Sequence, residues 1–412
     1  MYISISAYNS AKLMQIRHTN QGFNFYKFPI YENDLDPKQR AWIEVRGKAL
    51  ETNVRELRSQ LSKNCQFMAV VKADGYGHDA KVVSEYAIKG GASQLGVATL
   101  KEGIKLRSSG IKQPILILGN LYTKKDLIIS FKNDLMPTIS SIRECLICNN
   151  IGKQFGLKFS LHLKVDTGMS RLGFEYNRFI QQFEKIKTFE NISIKGIYSH
   201  LSSADEYNSL HPKSITQLQR QKFEKLLKQI NVYKNNNIKI HLANSAGMLL
   251  DKDFHFQMVR VGISMYGYSP LAKTDKKLSL KPALFLKAKV AFIRSIDQGV
   301  SVSYGGKFVS SKKTKLAVLS IGYADGVPRN LSGKINVIYN NKLYQQVGSI
   351  TMDQMMVDIT GSNEIKIGST MILLGSSGDK TISPLDWARE SNTIPWEILC
   401  SFKNRLPRVQ VD

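Results

Sequence analysis

Acidic residues are scarce in this chain: 33 Asp and Glu stand against 58 Lys and Arg, a formal net charge of +25. Such an excess would suit a protein that meets nucleic acid, an anionic membrane or anionic small molecules. The basic residues are spread along the chain rather than blocked. No helix-turn-helix, zinc-finger or RNA-binding pattern accompanies them, so a lysine-rich surface is the simpler reading and no nucleic-acid partner is expected. Cysteine is scarce too. Cys65, Cys145, Cys148 and Cys400 are too few and too scattered for a disulfide scaffold and suit a reducing, cytoplasmic setting. Cys145 and Cys148 form a lone C-x-x-C around apolar Leu146 and Ile147, which reads as a buried helical turn; no metal site is expected. Long apolar runs are missing as well. None approaches the roughly 20 residues of a membrane-spanning helix, so no membrane partner is expected. The first residues lack a basic start followed by an apolar stretch and a cleavage site, and no secretory signal is expected. Residues 1–38 read as an N-terminal extension, disordered or weakly docked.

From about residue 42, short apolar runs alternate with longer segments of helical period, the pattern of a parallel sheet with crossover helices. Eight strand runs stand out: FMAVVKA, LGVATL, PILILGN, LMPTIS, FSLHLKVD, IKGIYSHL, IKIHLAN and MVRVGIS. Leu50, Val54, Leu57 and Leu61 share one helical face, as do Ile215, Leu218, Leu226 and Ile230; both stripes are expected to face the core. After about residue 280 short β-rich runs separated by Gly, Asn and Ser take over. The expected fold is α/β: a (β/α)8 TIM-type barrel over residues 39–278, followed by a mainly β C-terminal domain over residues 279–412.

In a parallel barrel the active site lies at the carboxyl ends of the strands. The polar residues ending the strand runs are Lys72, Lys164 with Asp166, His200, Asn244 with Ser245, and Arg260 with Gly262. Lys72 leaves a hydrophobic strand, where desolvation can free its amine to form a Schiff base; a lone strand-end lysine is more often a snorkelling surface residue, and the company of the other strand-end groups reverses that reading. Ser245 and the backbone near Gly262 and Ile263 follow strands seven and eight, where barrels commonly bind phosphate.

The segments VVKADGYGHD, KVDTGMSRLGF, GIYSHLSSADE, HLANSAG and VRVGISMYGYSP, then VSYGGKF, IGYADGVPR, VGSITMDQ and WEILCSFKNRLPRV, carry a resemblance to a known family. From about residue 40 to the end, the chain resembles the alanine racemase family of pyridoxal 5′-phosphate (PLP) enzymes. That resemblance implies that Lys72 holds PLP covalently, that Tyr76, Ser245, Gly262 and Ile263 face its phosphate, and that Arg260, linked to His200, meets the pyridine nitrogen. Lys72 and Tyr304 would be the two bases, Tyr304 reaching the site from the partner subunit of a homodimer. Arg171 would meet the substrate carboxylate, with Lys164, carbamylated, orienting it. Met352 would line the substrate site across the interface, supported by Asp353, and Tyr323 the entry corridor. Two positions depart from the family pattern: Trp396 stands where a tyrosine usually contacts the phosphate, and Asp79 where a glycine is usual. The activity implied is interconversion of L- and D-alanine, supplying D-alanine for peptidoglycan, with a serine or broad-specificity amino-acid racemase as the alternative. A decarboxylase on the same barrel would want an acidic partner for the pyridine nitrogen, which Arg260 opposes; a non-catalytic PLP-binding barrel would lack the β domain and Tyr304.

Overall fold

The computed structural model describes residues 36–206, 208–232, 237–271 and 278–412. The expectation for the N-terminal extension therefore falls almost wholly outside the described residues. The elements below all belong to one compact unit, Arg40–Asp412.

Strand β1 (Ala41–Arg46) comes first, and eight parallel strands then build a closed barrel. They are β2 (Gln66–Val70), β3 (Gln94–Val97), β4 (Ile115–Ile117), β5 (Leu135–Ile139), β6 (Phe159–Asp166), β8 (Ile192–Tyr198), β9 (Lys239–His241) and β10 (Met258–Val261). The two-residue β7 (Phe174–Glu175) attaches to the end of β6. Pairing of β5 with β6, and of β10 with β2, closes the ring. These strands are buried on both faces, so they read as near-continuous apolar runs. Alternation still sorts their side chains: Leu161, Leu163 and Val165 of β6 join the main core, whereas Met68, Leu116, Met136, Tyr198 and Met258 form a separate cluster that fills the barrel. Helices start where short polar side chains can satisfy free amides. Capping boxes open them at Thr99 with Glu102, Thr123 with Asp126, and Ser141 with Glu144. Cys145 and Cys148 are buried in the helix Ile142–Phe155.

The second sheet is antiparallel apart from one pair. Its strands are β11 (Leu284–Ile296), β14 (Thr314–Leu319), β15 (Asn336–Tyr339), β16 (Lys342–Val347), β17 (Met355–Asp358), β18 (Thr370–Ser377) and β19 (Lys380–Ile382), while β12 (Ser301–Val302) and β13 (Phe308–Val309) form a small hairpin. Strand β11 pairs with β14 along one part and β18 along another, with a bulge between Val290 and Phe292, and so closes this sheet too. Its remaining edge takes β1, which in turn pairs in parallel with the last strand, β20 (Arg408–Val411).

Two expectations are corrected here. Residues 41–46 were assigned to the barrel but are a strand of the second sheet, because β11 offers them an unpaired edge. In the helix Ile215–Gln229, Ile215 and Leu218 are exposed, 54% and 44%. The buried face carries Thr216, Gln219, Phe223, Leu226 and Leu227 instead. Gln219 sets that rotation: its side-chain amide donates to the His200 carbonyl and accepts from the Ser202 N–H, which ties a polar residue inward and turns Ile215 and Leu218 out.

Candidate active site

A cavity of about 750 Å³ opens at the carboxyl ends of the barrel strands. Lys72, Lys164, Arg171 and Arg260 line it, against the carboxylates of Glu102, Asp205 and Glu397. Glu102 is engaged elsewhere, accepting from the amides of Ala73, Ala98 and Thr99. The balance inside the cavity favours an anionic ligand.

Lys72 stands at the top of β2, followed by a turn in which Ala73, Asp74, Gly75 and Tyr76 all have positive φ, between 52° and 64°. A left-handed turn costs L-residues roughly 1–2 kcal/mol each. It survives because Glu102, the capping residue of the next helix, binds the Ala73 amide, and because Gly77 approaches the Leu399 carbonyl closely enough that no side chain would fit there. The Arg408 side chain also donates to the Gly77 carbonyl, 3.1 Å. The helix Pro395–Cys400 is thereby held over the turn, and Trp396 and Cys400 join the cavity wall. The turn also sends the Tyr76 ring inward, where it packs on Tyr266 at 4.7 Å. A methyl group added to Gly262 would fall 2.6 Å from the Tyr76 hydroxyl, so glycine is required at that point. The Gly262 N–H donates to Ser245 Oγ at 2.9 Å, and Ser245 begins the short helix after β9.

Arg260, only 4% exposed, is the most constrained group of the site. It donates to His241 Nδ1 at 2.9 Å, His200 Nδ1 at 3.1 Å, and the carbonyls of Ser199 and Leu242 at 2.8 and 3.0 Å. None of these acceptors is a carboxylate. Burial brings its pKa down to about 10, which leaves it charged at neutral pH. Burial and the same guanidinium hold His200 and His241 well below the usual imidazole range, so both accept as neutral rings. Tyr198 completes the cluster: its hydroxyl bonds Thr138 at 2.8 Å, its ring stacks on His241, and the Lys164 amine and Arg260 guanidinium lie 5.5 and 5.0 Å from its centroid. Lys164 itself is 6% exposed and pushed down to about 8, first by burial and then by Arg260 and Arg171.

The structure thus brings Lys72, Tyr76, Lys164, Arg171, His200, Ser245, Arg260, Gly262, Ile263 and Trp396 to one cavity. Tyr304, Tyr323, Met352 and Asp353 are not part of its wall. They sit on the second sheet's loops, with Tyr304 73%, Met352 53% and Tyr323 40% exposed. Hydrogen bonds gather these loops: the Tyr323 N–H donates to the Thr351 carbonyl, the Ala324 N–H to the Met352 carbonyl, and the Ser349 hydroxyl to the Tyr304 carbonyl. Arg405 bridges Asp353, 2.7 Å, to the buried Asp325, which also accepts from both terminal guanidinium nitrogens of Arg40. Residues that motif reading passed over are Tyr198, His241, Glu102 and Cys400. Tyr198 and His241 are the last residues of β8 and β9, two and three residues before His200 and Asn244, and the inward alternation of those strands is the signal that could have found them.

The unused valences decide which cofactor these residues fit. Among the described residues, the Lys72 amine, the Tyr76 hydroxyl, the Arg171 guanidinium and the Arg260 Nε–H have no protein partner, and the Ser245 hydroxyl proton is free to donate. That is an amine able to condense with an aldehyde, hydroxyl donors beside a glycine cradle, and a guanidinium aimed at an acceptor. A PLP-sized aldehyde bearing a phosphate and a ring nitrogen matches the set.

Fold and site define an enzyme built as a (β/α)8 barrel with a β-rich C-terminal domain, whose barrel mouth carries a strand-end lysine among basic groups. Residues 45–270 match the model of the alanine racemase N-terminal domain, and residues 283–410 that of the alanine racemase C-terminal domain. An alanine racemase of Prochlorococcus marinus is 50% identical over 379 residues, 92% of this chain and 98% of that one. The solved alanine racemase of Clostridium difficile 630 superposes with a TM-score of 0.84 at 33% identity, covering 90% of this chain and 96% of that one. An alanine racemase from Bartonella henselae, solved with covalently bound pyridoxal phosphate, superposes at 0.79 with 30% identity, covering 90% and 99%. The chain belongs to the alanine racemase family.

Proposed function

We infer that the protein interconverts L- and D-alanine with PLP as cofactor, and that it works as a cytoplasmic homodimer supplying D-alanine for peptidoglycan. The observation that carries the reading is the cavity at the barrel mouth, where an unpartnered Lys72 amine stands with the Tyr76, Ser245 and Gly262 cradle and a buried Arg260 that has no carboxylate partner. PLP, when bound, supplies an electron-withdrawing ring that acidifies the α-hydrogen of an amino acid. Lys72 holds it and serves as the base on one face of the α-carbon. Tyr76, Ser245 and the Gly262–Ile263 backbone hold its phosphate. Arg260 would offer its unpartnered Nε–H to the ring nitrogen, and since a guanidinium does not surrender that proton, the bound ring would be a moderate electron sink. Arg171 binds the substrate carboxylate.

The opposite face needs a second base, and Tyr304 of the partner subunit is assigned to it. Its own chain leaves Tyr304 exposed in a loop gathered with Met352, Asp353 and Tyr323, as a group serving a neighbour's site would be. Lys72 Nζ takes the α-proton on one side while the tyrosine hydroxyl delivers one on the other, and the reverse direction exchanges their roles. Lys164, with its amine pushed down to about 8 between two guanidinium groups, has the neutral fraction needed to take up carbon dioxide; the resulting carbamate would pair with Arg171. No described helix is long and apolar enough to cross a membrane.

The test is a visible absorbance spectrum of the protein reconstituted with PLP, followed by L-alanine addition and a coupled assay for D-alanine. A visible absorbance band that appears as PLP is taken up, together with D-alanine formation, is expected for wild type. Lys72→Ala should lose both, and a variant that retained the band would remove Lys72 from its role.

A further inference from the structure

Beneath the cavity floor, the guanidinium of Arg260 is the first member of a buried chain that ends at a residue with no assigned part in the reaction. Arg260 donates to His241 Nδ1 at 2.9 Å, and His241 Nε2 lies 3.0 Å from His162 Nδ1. The directions follow from the first bond. A guanidinium only donates, so His241 Nδ1 is an acceptor and carries no proton. In a neutral ring the proton then sits on His241 Nε2, which must donate, and His162 Nδ1 must accept. The His162 proton is left on Nε2, which is buried without a partner. Both histidines are fully enclosed, His241 at 0% and His162 at 1% exposure.

The chain spans the barrel. His162 is on β6, two residues before Lys164 on the same inward face; His241 is on β9, and Arg260 on β10. Gly196 of β8 makes room for the first ring: a methyl group built there would fall 2.6 Å from His162 Cε1. Leaving a buried N–H of His162 unpartnered costs on the order of 1–3 kcal/mol. An apolar side chain would fill the same space without that cost, so the histidine is not explained by packing.

We propose that His162 is a positioning residue: by accepting the Nε2 proton of His241 it fixes the ring that anchors Arg260, and so sets where the guanidinium stands at the cavity wall. Without that acceptor, His241 is free to place its proton on Nδ1, and Arg260 then faces a donor where it had an acceptor. The guanidinium would rotate toward its remaining partners, the Ser199 and Leu242 carbonyls and His200, and its Nε–H would swing from the position assigned to it. The inference rests on the reading of Arg260 as the partner of the PLP ring nitrogen.

The experiment compares wild type with His162→Leu, which removes the acceptor, His162→Gln, whose amide oxygen can replace it, and Gly196→Ala, which displaces an unaltered imidazole. Each protein is checked for folding by near-ultraviolet circular dichroism, then titrated with PLP while the visible band is followed; kcat and KM for L-alanine are measured separately. His162→Leu is expected to weaken PLP binding and lower kcat by roughly tenfold or more, the scale found when outer partners of a site histidine are removed. Its visible band should be displaced, with KM within about twofold of wild type, and His162→Gln should restore most of each loss. If His162→Leu does not fold, Gly196→Ala carries the same expected direction. A folded leucine variant with the wild-type band and PLP affinity overturns the proposal, as does a glutamine variant as impaired as leucine. A wild-type protein that takes up no PLP fails at the earlier step and overturns the reading of Arg260 itself.

Discussion

At the scale of single residues the site is governed by charge that burial leaves uncompensated. Arg260 has neutral acceptors only, and Lys164 stands between two guanidinium groups. The Lys164 amine is therefore depressed in the folded protein, to about 8 from an ordinary value of 10.5. Between those values the unfolded chain binds more protons than the folded one, so this group raises stability as pH climbs through that window and contributes none of that gain below about 8. Lys164→Met should remove the rise: in carbon-dioxide-free buffer, where the wild-type amine stays free, denaturation midpoints measured from pH 7 to pH 10.5 are expected to climb less steeply in the variant than in wild type. Equal slopes would mean that Lys164 is not the group responsible. Which residues would collect was readable from strand ends, as with Lys72, Lys164, His200 and Arg260. Their protonation was not, because it depends on neighbours from β8, β9 and β10 that are distant in sequence.

At the scale of elements, the strand-end turn after Lys72 shows how local strain is held by a remote segment. Gly77 has φ of 78° and lies against the Leu399 carbonyl, so alanine there meets both a backbone and a steric objection. Gly77→Ala is expected to destabilise the protein by about 1–3 kcal/mol, read from chemical denaturation. It should also weaken PLP uptake, since the same movement displaces Tyr76 and the Trp396 helix. The strand run that ends at Lys72 was legible in the sequence, but the helix that covers the turn after it was not. Ile215 and Leu218 give the opposite lesson: a stripe with helical spacing was assigned to the core, and two of its members face outward because the polar Gln219 binds the His200 and Ser202 backbone. Apolar periodicity locates a helix; a buried hydrogen bond decided its rotation.

For the whole molecule, the residues assigned to one reaction are divided between the barrel mouth and an exposed loop cluster on the second sheet. A two-fold dimer in which each subunit completes its neighbour's site accounts for this division. Mixing Lys72→Ala with Tyr304→Phe subunits tests it. In the mixed dimer one site pairs the intact lysine of one chain with the intact tyrosine of the other, so random pairing should restore roughly a quarter of the wild-type sites. If both bases act within one chain, refolding the two variants together restores nothing beyond their separate activities.

By itself the sequence determined the closed eight-strand barrel, the β-rich domain after it and the family, because strand and helix periodicities and contiguous motifs are local properties of a chain. Only the tertiary structure decided that Ala41–Arg46 joins the second sheet, that Arg260 rests on His241 and His162, and that Ile215 and Leu218 face outward. Each of those depends on which edges, rings and loops meet after long stretches of chain have folded back, and no local pattern records such a meeting.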